Sequence, residues 1–323
     1  MKIAKTYSFI KKDLQQIETA LSEAIQADHP VLRQASTQLL NAGGKRIRPV
    51  FVLLSGQLGN YQLEKVKKVA VSLELIHMAT LVHDDVVDDA TLRRGKPTVK
   101  HQYGNKIAMY TGDYILARAL EYITTLKNPT IHQILSKTLV EVCVGEIEQI
   151  KFKFNWNQQL RDYLRRIRRK TALLIAVSCK LGALASQLPR KQANYLYKYG
   201  YYIGMSYQII DDILDFTSSE AVLGKPTASD LLQGHITLPV MYAMKNETFK
   251  KDLQNLFYDP STVTQSDMKQ LIQNLKDTGA IEKSYKMSNQ YLEKALQALE
   301  QLPDHKAKGV LQDIAMTIGK RRR

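Results

Sequence analysis

Leu73-Glu74-Leu75-Ile76-His77-Met78-Ala79-Thr80-Leu81-Val82-His83-Asp84-Asp85-Val86-Val87-Asp88-Asp89 decides how this chain folds. With the residues before it, Val66, Val69, Leu73, Ile76 and Thr80 return every three or four positions, so the spacing predicts one long helix over Glu64–Asp89. That helix is apolar for most of its length and then turns acidic. Residues four apart share a helix face, so Asp84 and Asp88 can hold one cation between them. An acidic run is ordinarily a solvated face. Here Val82, Val86 and Val87 surround the carboxylates, and charge in apolar surroundings is costly without a counter-charge. Hard divalent cations prefer such oxygen ligands. His77 lies two turns before Asp84 on roughly the same side, as either a core histidine or a substrate contact. Ala79 and Thr80 are small, which leaves room for an apolar tail running down the helix.

The second half of the chain repeats the pattern. A helix predicted over Leu196–Phe216 carries Asp211-Asp212-Ile213-Leu214-Asp215, with Asp211 and Asp215 again four apart and Gln208 one turn earlier. Two facing clusters would make a magnesium site for a diphosphate, because magnesium takes one or two carboxylates and leaves the rest of its shell to phosphate and water. Cations sit in the neighbouring loops. Gly43-Gly44 breaks a helix predicted over Val31–Leu40, and Lys45, Arg46 and Arg48 follow where a new helix begins near Pro49. Helix starts favour anions, so this is a candidate diphosphate cradle. Arg93-Arg94-Gly95 follows the first acidic helix, suited to bidentate phosphate contact. Arg161–Lys170 is the densest basic stretch, but it runs into Thr171-Ala172-Leu173-Leu174-Ile175-Ala176-Val177, too apolar for a nucleic-acid face. Lys170 and Thr171, at that junction, are the better ligand candidates. A further lysine, Lys225, sits in a loop beside the second cluster. Ile134, Leu135, Leu139, Val142, Ile147 and Ile150 predict the apolar face of a helix over Ile131–Lys153.

Composition sets the frame. The chain has 323 residues, 44% of them hydrophobic, enough for one large all-α domain over residues 1–323. Its net charge of +15 implies attraction to polyanions without choosing among nucleic acid, lipid and free diphosphate. Cys143 and Cys179 do not make a disulfide framework. No apolar run of about twenty residues occurs, so a soluble, cytoplasmic protein is expected. The basic residues from Lys320 onward read as a solvated helical tail, or as a segment reaching substrate or an anionic membrane surface.

Taken together, the paired aspartate motifs, Gly43-Gly44-Lys45-Arg46, Arg93-Arg94-Gly95, Lys170-Thr171 and Gln208 resemble the trans-isoprenyl diphosphate synthase family, in the family's order and over nearly the whole chain. The resemblance narrows to the catalytic component of bacterial two-component heptaprenyl or hexaprenyl diphosphate synthases, through Met109-Tyr110-Thr111-Gly112-Asp113-Tyr114 and Arg165-Arg166-Ile167-Arg168-Arg169-Lys170-Thr171. It implies an antiparallel helix bundle around a large cavity. By resemblance, Asp84, Asp88 and Asp211, supported by Asp85, Asp212 and Asp215, hold Mg2+, three ions with substrate bound. Arg93, Lys170, Thr171, Gln208 and Lys225 contact the allylic diphosphate, and Lys45, Arg48, His77 and Arg94 bind isopentenyl diphosphate. Ala79 and Thr80 leave a channel open for products longer than farnesyl diphosphate. The implied reaction elongates farnesyl diphosphate toward the menaquinone side chain, with a small regulatory subunit as heterodimer partner, no nucleic acid and at most peripheral membrane contact. A homodimeric longer-chain synthase shares every motif; a terpene cyclase would lack the second aspartate cluster. The sequence departs from the family pattern at Tyr207 for phenylalanine, Ala228 for glycine and His235 for lysine.

Overall fold

The computed structural model describes residues 8–218 and 227–321. Among them every regular element longer than two residues is helical, which bears out the all-α reading. The described residues divide into two compact units, one of residues 8–136, 177–197 and 301–311, the other of residues 137–176, 198–218, 227–300 and 312–321.

In the first unit, α1 (Lys11–Ala24), α2 (Pro30–Asn41), α3 (Ile47–Gly56), α4 (Leu63–Val87) and α5 (Val99–Thr124) follow one another. Every residue from Val69 to Ile76 is buried, so α4 has no solvent face there and forms the middle of the unit. A helix apolar all round has to be enclosed in this way, and α5, α3 and α1 do the enclosing. Two short strands, β1 (Leu92–Arg93) and β2 (Lys96–Pro97), pair antiparallel between α4 and α5. They fold the Arg93-Arg94-Gly95 loop back on itself, with Arg94 and Gly95 at positive φ.

α6 (Pro129–Lys151), α8 (Leu173–Ala185) and α9 (Arg190–Thr217) contribute to both units. In the first unit, a Cβ on Gly182 of α8 would lie 2.3 Å from the Val52 carbonyl oxygen of α3, so only glycine lets these backbones meet. The second unit also holds α7 (Leu160–Ile167), α10 (Ser229–Leu232), α11 (Leu238–Ala243), α12 (Glu247–Leu256), α13 (Gln265–Asp277) and α14 (Ala280–Glu300). The end of α15 (Lys306–Gly319) belongs here too. Tyr163, Ile167, Met205, Ile209, Ile213 and Leu238 form part of its core.

Several boundaries differ from the sequence expectation. α3 starts at Ile47, ahead of Pro49, because the first helical N–H groups have no intrahelical partner and proline loses nothing there. α4 stops at Val87, leaving Asp88 as its C-cap and Asp89 left-handed at φ 52°. α5 begins at Val99, directly after the loop, and is interrupted at Gly104 with φ 81°. The basic stretch Arg161–Lys170 is helical, and it passes through a π-turn over Arg168–Ala172 between α7 and α8. The apolar face expected on α6 is split. Leu135 and Val142 are buried, whereas Ile147 and Ile150 are 68% and 48% exposed. They were grouped by helical spacing alone, and the spacing carries no information about which apolar stripe the same chain covers.

Ala228 accounts for one of the sequence departures. It is fully buried and left-handed at φ 54°, the conformation glycine adopts without a Cβ clash. An alanine there carries roughly 1 kcal/mol of backbone strain.

Candidate active site

α4 delivers the first acidic cluster. Asp84 and Asp88 are half-buried near its end, while Asp85 is 2% exposed. Asp85 is engaged by Arg93, whose Nε and Nη2 reach the same carboxylate oxygen at 2.8 and 2.7 Å. Its charge is thereby compensated, and the arginine is held over the end of α4. Asp89 is exposed and pairs with Lys100.

The cationic loops of this unit converge on the same helix. The guanidinium of Arg94 lies 3.0 Å from where a Cβ on Gly44 would be, so the Arg94 side chain rests directly on the Gly44 backbone. Arg46, left-handed at φ 45°, caps α3 and pairs with Glu18 at 2.6 Å and with the buried Glu74 of α4 at 3.2 Å. Sequence reasoning missed Glu74 as an anchor. A legible signal was its position as a single carboxylate inside an otherwise apolar stretch of α4, where a buried charge requires a partner.

His77 stands among these cations. Burial first, then the positive fields of Arg48, Arg94, Arg93 and Arg46, push its imidazole well below the usual histidine value of 6.5. It is therefore neutral at physiological pH. The native ring stays unprotonated as pH falls through 6.5 while the unfolded chain takes up a proton, so this contribution to stability declines with acidification. His77→Gln is expected to lose less stability than the parent between pH 7.5 and 5.5 in urea unfolding, with a differential of about 1 kcal/mol. Identical losses would contradict the depressed value. Ala79 is buried one turn before the aspartates, and the Thr80 hydroxyl donates to the His77 carbonyl at 2.8 Å.

In the second unit, one hydrogen-bonded chain connects the predicted residues. The Thr171 hydroxyl donates to Gln208 Oε1 at 2.6 Å, and Gln208 Nε2 donates to Asp212 at 2.9 Å. On the other carboxylate oxygen of Asp212, the Tyr163 hydroxyl donates at 2.7 Å. The π-turn sets this up. An extra residue per turn re-aims successive side chains, so that exposed Lys170 reaches Gln149 at 2.9 Å while Thr171 faces α9. Gly204 lets α9 approach, since a Cβ there would be 2.4 Å from the Ala172 Cα.

Burial, with Asp230 nearby, pushes the Asp212 carboxyl up to about 7, against the bonds from Gln208 and Tyr163 and the field of Arg166. Arg166 is 6% exposed and donates to Gln158 at 3.1 Å and to the Ile236 carbonyl at 2.6 Å. Tyr163 and Arg166 were passed over in the sequence as members of a basic run; their spacing of three, on the side of Ile167, was the available signal. Asp215 is 1% exposed and accepts from the Ser229 hydroxyl at 3.1 Å and the Asp230 amide at 3.2 Å. It thus anchors α10, a task the spacing argument for an Asp211 and Asp215 clasp did not anticipate. Asp211 is half-buried. His235 is buried and its imidazole is lowered to about 4, by burial and then by Lys170 and Arg166, so it supplies no charge where a lysine is usual. Lys225 lies outside the described residues.

The donor set suits a hard cation. Both motifs offer aspartate oxygens beside basic residues, with no thiolate among them. Among the described residues no three metal-ligating side chains are already gathered.

Comparison with known proteins adds a second line of support. The family model for polyprenyl synthetase matches residues 29–275. The chain is 58% identical to the heptaprenyl diphosphate synthase component 2 of Bacillus subtilis (strain 168), over 100% of this chain and 92% of that protein. Its fold is similar to the heptaprenyl diphosphate synthase of Staphylococcus aureus, with TM-score 0.92, 44% identity and coverage of 97% and 99% of the two chains. It is also similar to a polyprenyl synthase from Caulobacter crescentus solved with calcium and isoprenyl diphosphate, with TM-score 0.93, 27% identity and coverage of 99% and 98%.

Proposed function

The chain belongs to the polyprenyl synthetase family, and from that premise we propose that it elongates an allylic diphosphate, farnesyl diphosphate in the first instance, with isopentenyl diphosphate to a heptaprenyl or hexaprenyl product for the menaquinone side chain. The observation that carries this reading is the gathering of Arg46, Arg48, Arg93 and Arg94 around a neutral His77, on the helix that ends in Asp84 and Asp88. Such a site binds a diphosphate beside metal-binding carboxylates.

Magnesium held by Asp84, Asp88 and Asp211 would neutralise the charge that develops on a departing diphosphate. Arg93, fixed by Asp85, and Lys170, fixed by Gln149, add stationary positive charge for the same anion, at no reorganisation cost during the reaction. The carbon–oxygen bond of the allylic substrate breaks with its electron pair leaving on the diphosphate. The double bond of isopentenyl diphosphate, held through Lys45, Arg48 and Arg94, then forms the new carbon–carbon bond, and a proton is lost to the released diphosphate. A neutral His77 donates or accepts a hydrogen bond there without adding charge. Ala79 and Thr80 keep the path beside α4 open for the growing chain, and Thr171 and Gln208 orient the second motif through Asp212.

A partner subunit fits the surface of α6. Val140, Val144, Ile147 and Ile150 form an apolar stripe at helical spacing and are 62%, 40%, 68% and 48% exposed. Such a stripe is characteristic of a surface covered by another protein. We assign it to a smaller regulatory subunit; a second copy of this chain is the competing occupant. No described helix is long and apolar enough to cross a membrane. Incubating the purified chain with Mg2+, farnesyl diphosphate and radiolabelled isopentenyl diphosphate, with and without a small partner, tests the reading by product chromatography. Full-length product is expected only with the partner. Sustained full-length synthesis by the chain alone would favour the homodimer, and no Mg2+-dependent incorporation in either case would refute a synthase.

A further inference from the structure

Just beyond α15, Arg321 turns its side chain onto α9. Its Nη1 donates to Asp211 at 3.0 Å, and its guanidinium carbon lies 4.9 Å from the centre of the Tyr207 ring, one helical turn before Asp211. The backbone leading there is tethered. The Lys320 amide donates to Met316 and the Arg321 amide to Ile318, and Gly319 approaches Leu292 of α14 so closely that a Cβ would lie 2.8 Å from it. Arginine 321 is therefore delivered to α9 by the packed end of a helix.

We propose that Arg321 is a stand-in cation for the second aspartate motif: it compensates Asp211 in the metal-free enzyme and is exchanged for a divalent metal when one binds. This inference rests on the reading of Asp211 as a metal-binding carboxylate. Asp212 and Asp215 are satisfied by Tyr163 and Gln208, and by Ser229 and the Asp230 amide. Asp211 instead meets a full positive charge, as a hard cation would supply. With Asp212 and Asp215 within about one helical turn, a positive charge at Asp211 is favoured before metal arrives. The pair is also built to be replaced. Its side chains are 21% and 35% exposed, and one hydrogen bond joins them, a geometry whose stabilisation is small. Exchange replaces one positive charge at the motif by two and releases the guanidinium into solvent beside Tyr207, whose ring face remains available to it.

Titrating substrate-free enzyme with Mn2+, following the free ion by electron paramagnetic resonance, reads the exchange without any turnover. Arg321→Ala is expected to bind Mn2+ about two- to fivefold more tightly than the parent, because no competing cation has to leave. Its metal-free thermal midpoint should fall, and its rise on adding Mn2+ should be larger than the parent's. Both differences should vanish when Asp211→Asn is present in the two proteins being compared, and Arg321→Lys should restore part of the competition. If Asp211→Asn weakens Mn2+ binding while Arg321→Ala equals the parent, the exchange is refuted and the metal role of Asp211 stands. Unchanged Mn2+ affinity in Asp211→Asn would overturn both.

Discussion

Asp84→Ala is expected to lower kcat by about a thousandfold, the scale on which enzymes lose rate when a group stabilising the departing charge is removed. The side chain ends on the half-buried flank of α4, and its carboxylate is not the one that holds Arg93, which is Asp85. Losing it should therefore leave the fold intact. Circular dichroism and the thermal midpoint should match the parent within the error of a surface substitution. Asp88→Ala should behave alike. Asp89→Asn provides the contrast, because Asp89 is exposed, pairs with Lys100 and occupies a left-handed conformation that asparagine tolerates. That variant should keep near-normal turnover. Normal kcat in Asp84→Ala, or an equal loss in Asp89→Asn, would remove Asp84 from the metal site.

Arg166→Ala should do the opposite, unfolding the protein more readily before it touches chemistry. The guanidinium is buried, and its truncation takes the donor from the Gln158 amide oxygen and leaves the Ile236 carbonyl with the longer 3.5 Å contact from Gln158 Nε2 in place of its 2.6 Å bond. It also takes the positive field of Arg166 away from Asp212, whose carboxyl burial already pushes up to about 7. Each charge-assisted hydrogen bond lost inside a protein costs about 1.5–3 kcal/mol, so a loss of roughly 3 kcal/mol or more is expected. In urea unfolding the midpoint should move down with little change in slope. Arg165→Ala, one residue away and exposed, should be close to neutral. If the two variants unfold alike, Arg166 is not the internal brace described above.

Much of the candidate site was legible because it depends on local chemistry. Asp84 and Asp88, Gly44 with Lys45, Arg93 with Arg94, and Lys170 with Thr171 each announce themselves by residue type and spacing. Gly44 lies against the Arg94 guanidinium, some fifty residues away in sequence, yet its place beside Lys45 already marked a turn. Less legible were the braces. Glu74, Tyr163 and Arg166 look like ordinary members of a helix until the structure buries them against Arg46, Asp212 and the Ile236 carbonyl. The Arg321 contact with Asp211 was further out of reach, because it joins residues 110 apart with no motif to connect them.

The chain's own order of residues determined that it is helical, that its carboxylates come in two spaced clusters, and that cations flank both. Helical periodicity and the cost of charge among apolar side chains act over a few turns, and so can be read from neighbours. Tertiary structure alone decided what the other carboxylates of the two clusters are held by, and what meets Asp211. Asp85 and Asp215 are drawn away by Arg93 and by the start of α10, Asp212 is held by Tyr163 and Gln208, and Asp211 is met by an arginine from beyond α15. It also decided that Ile147 and Ile150 are exposed, although periodicity had grouped them with Leu135 and Val142 on one apolar face. Burial and pairing are relations between distant parts of the chain, and identical spacings on α4 and α9 acquire different tasks only when packing has chosen each side chain's neighbours.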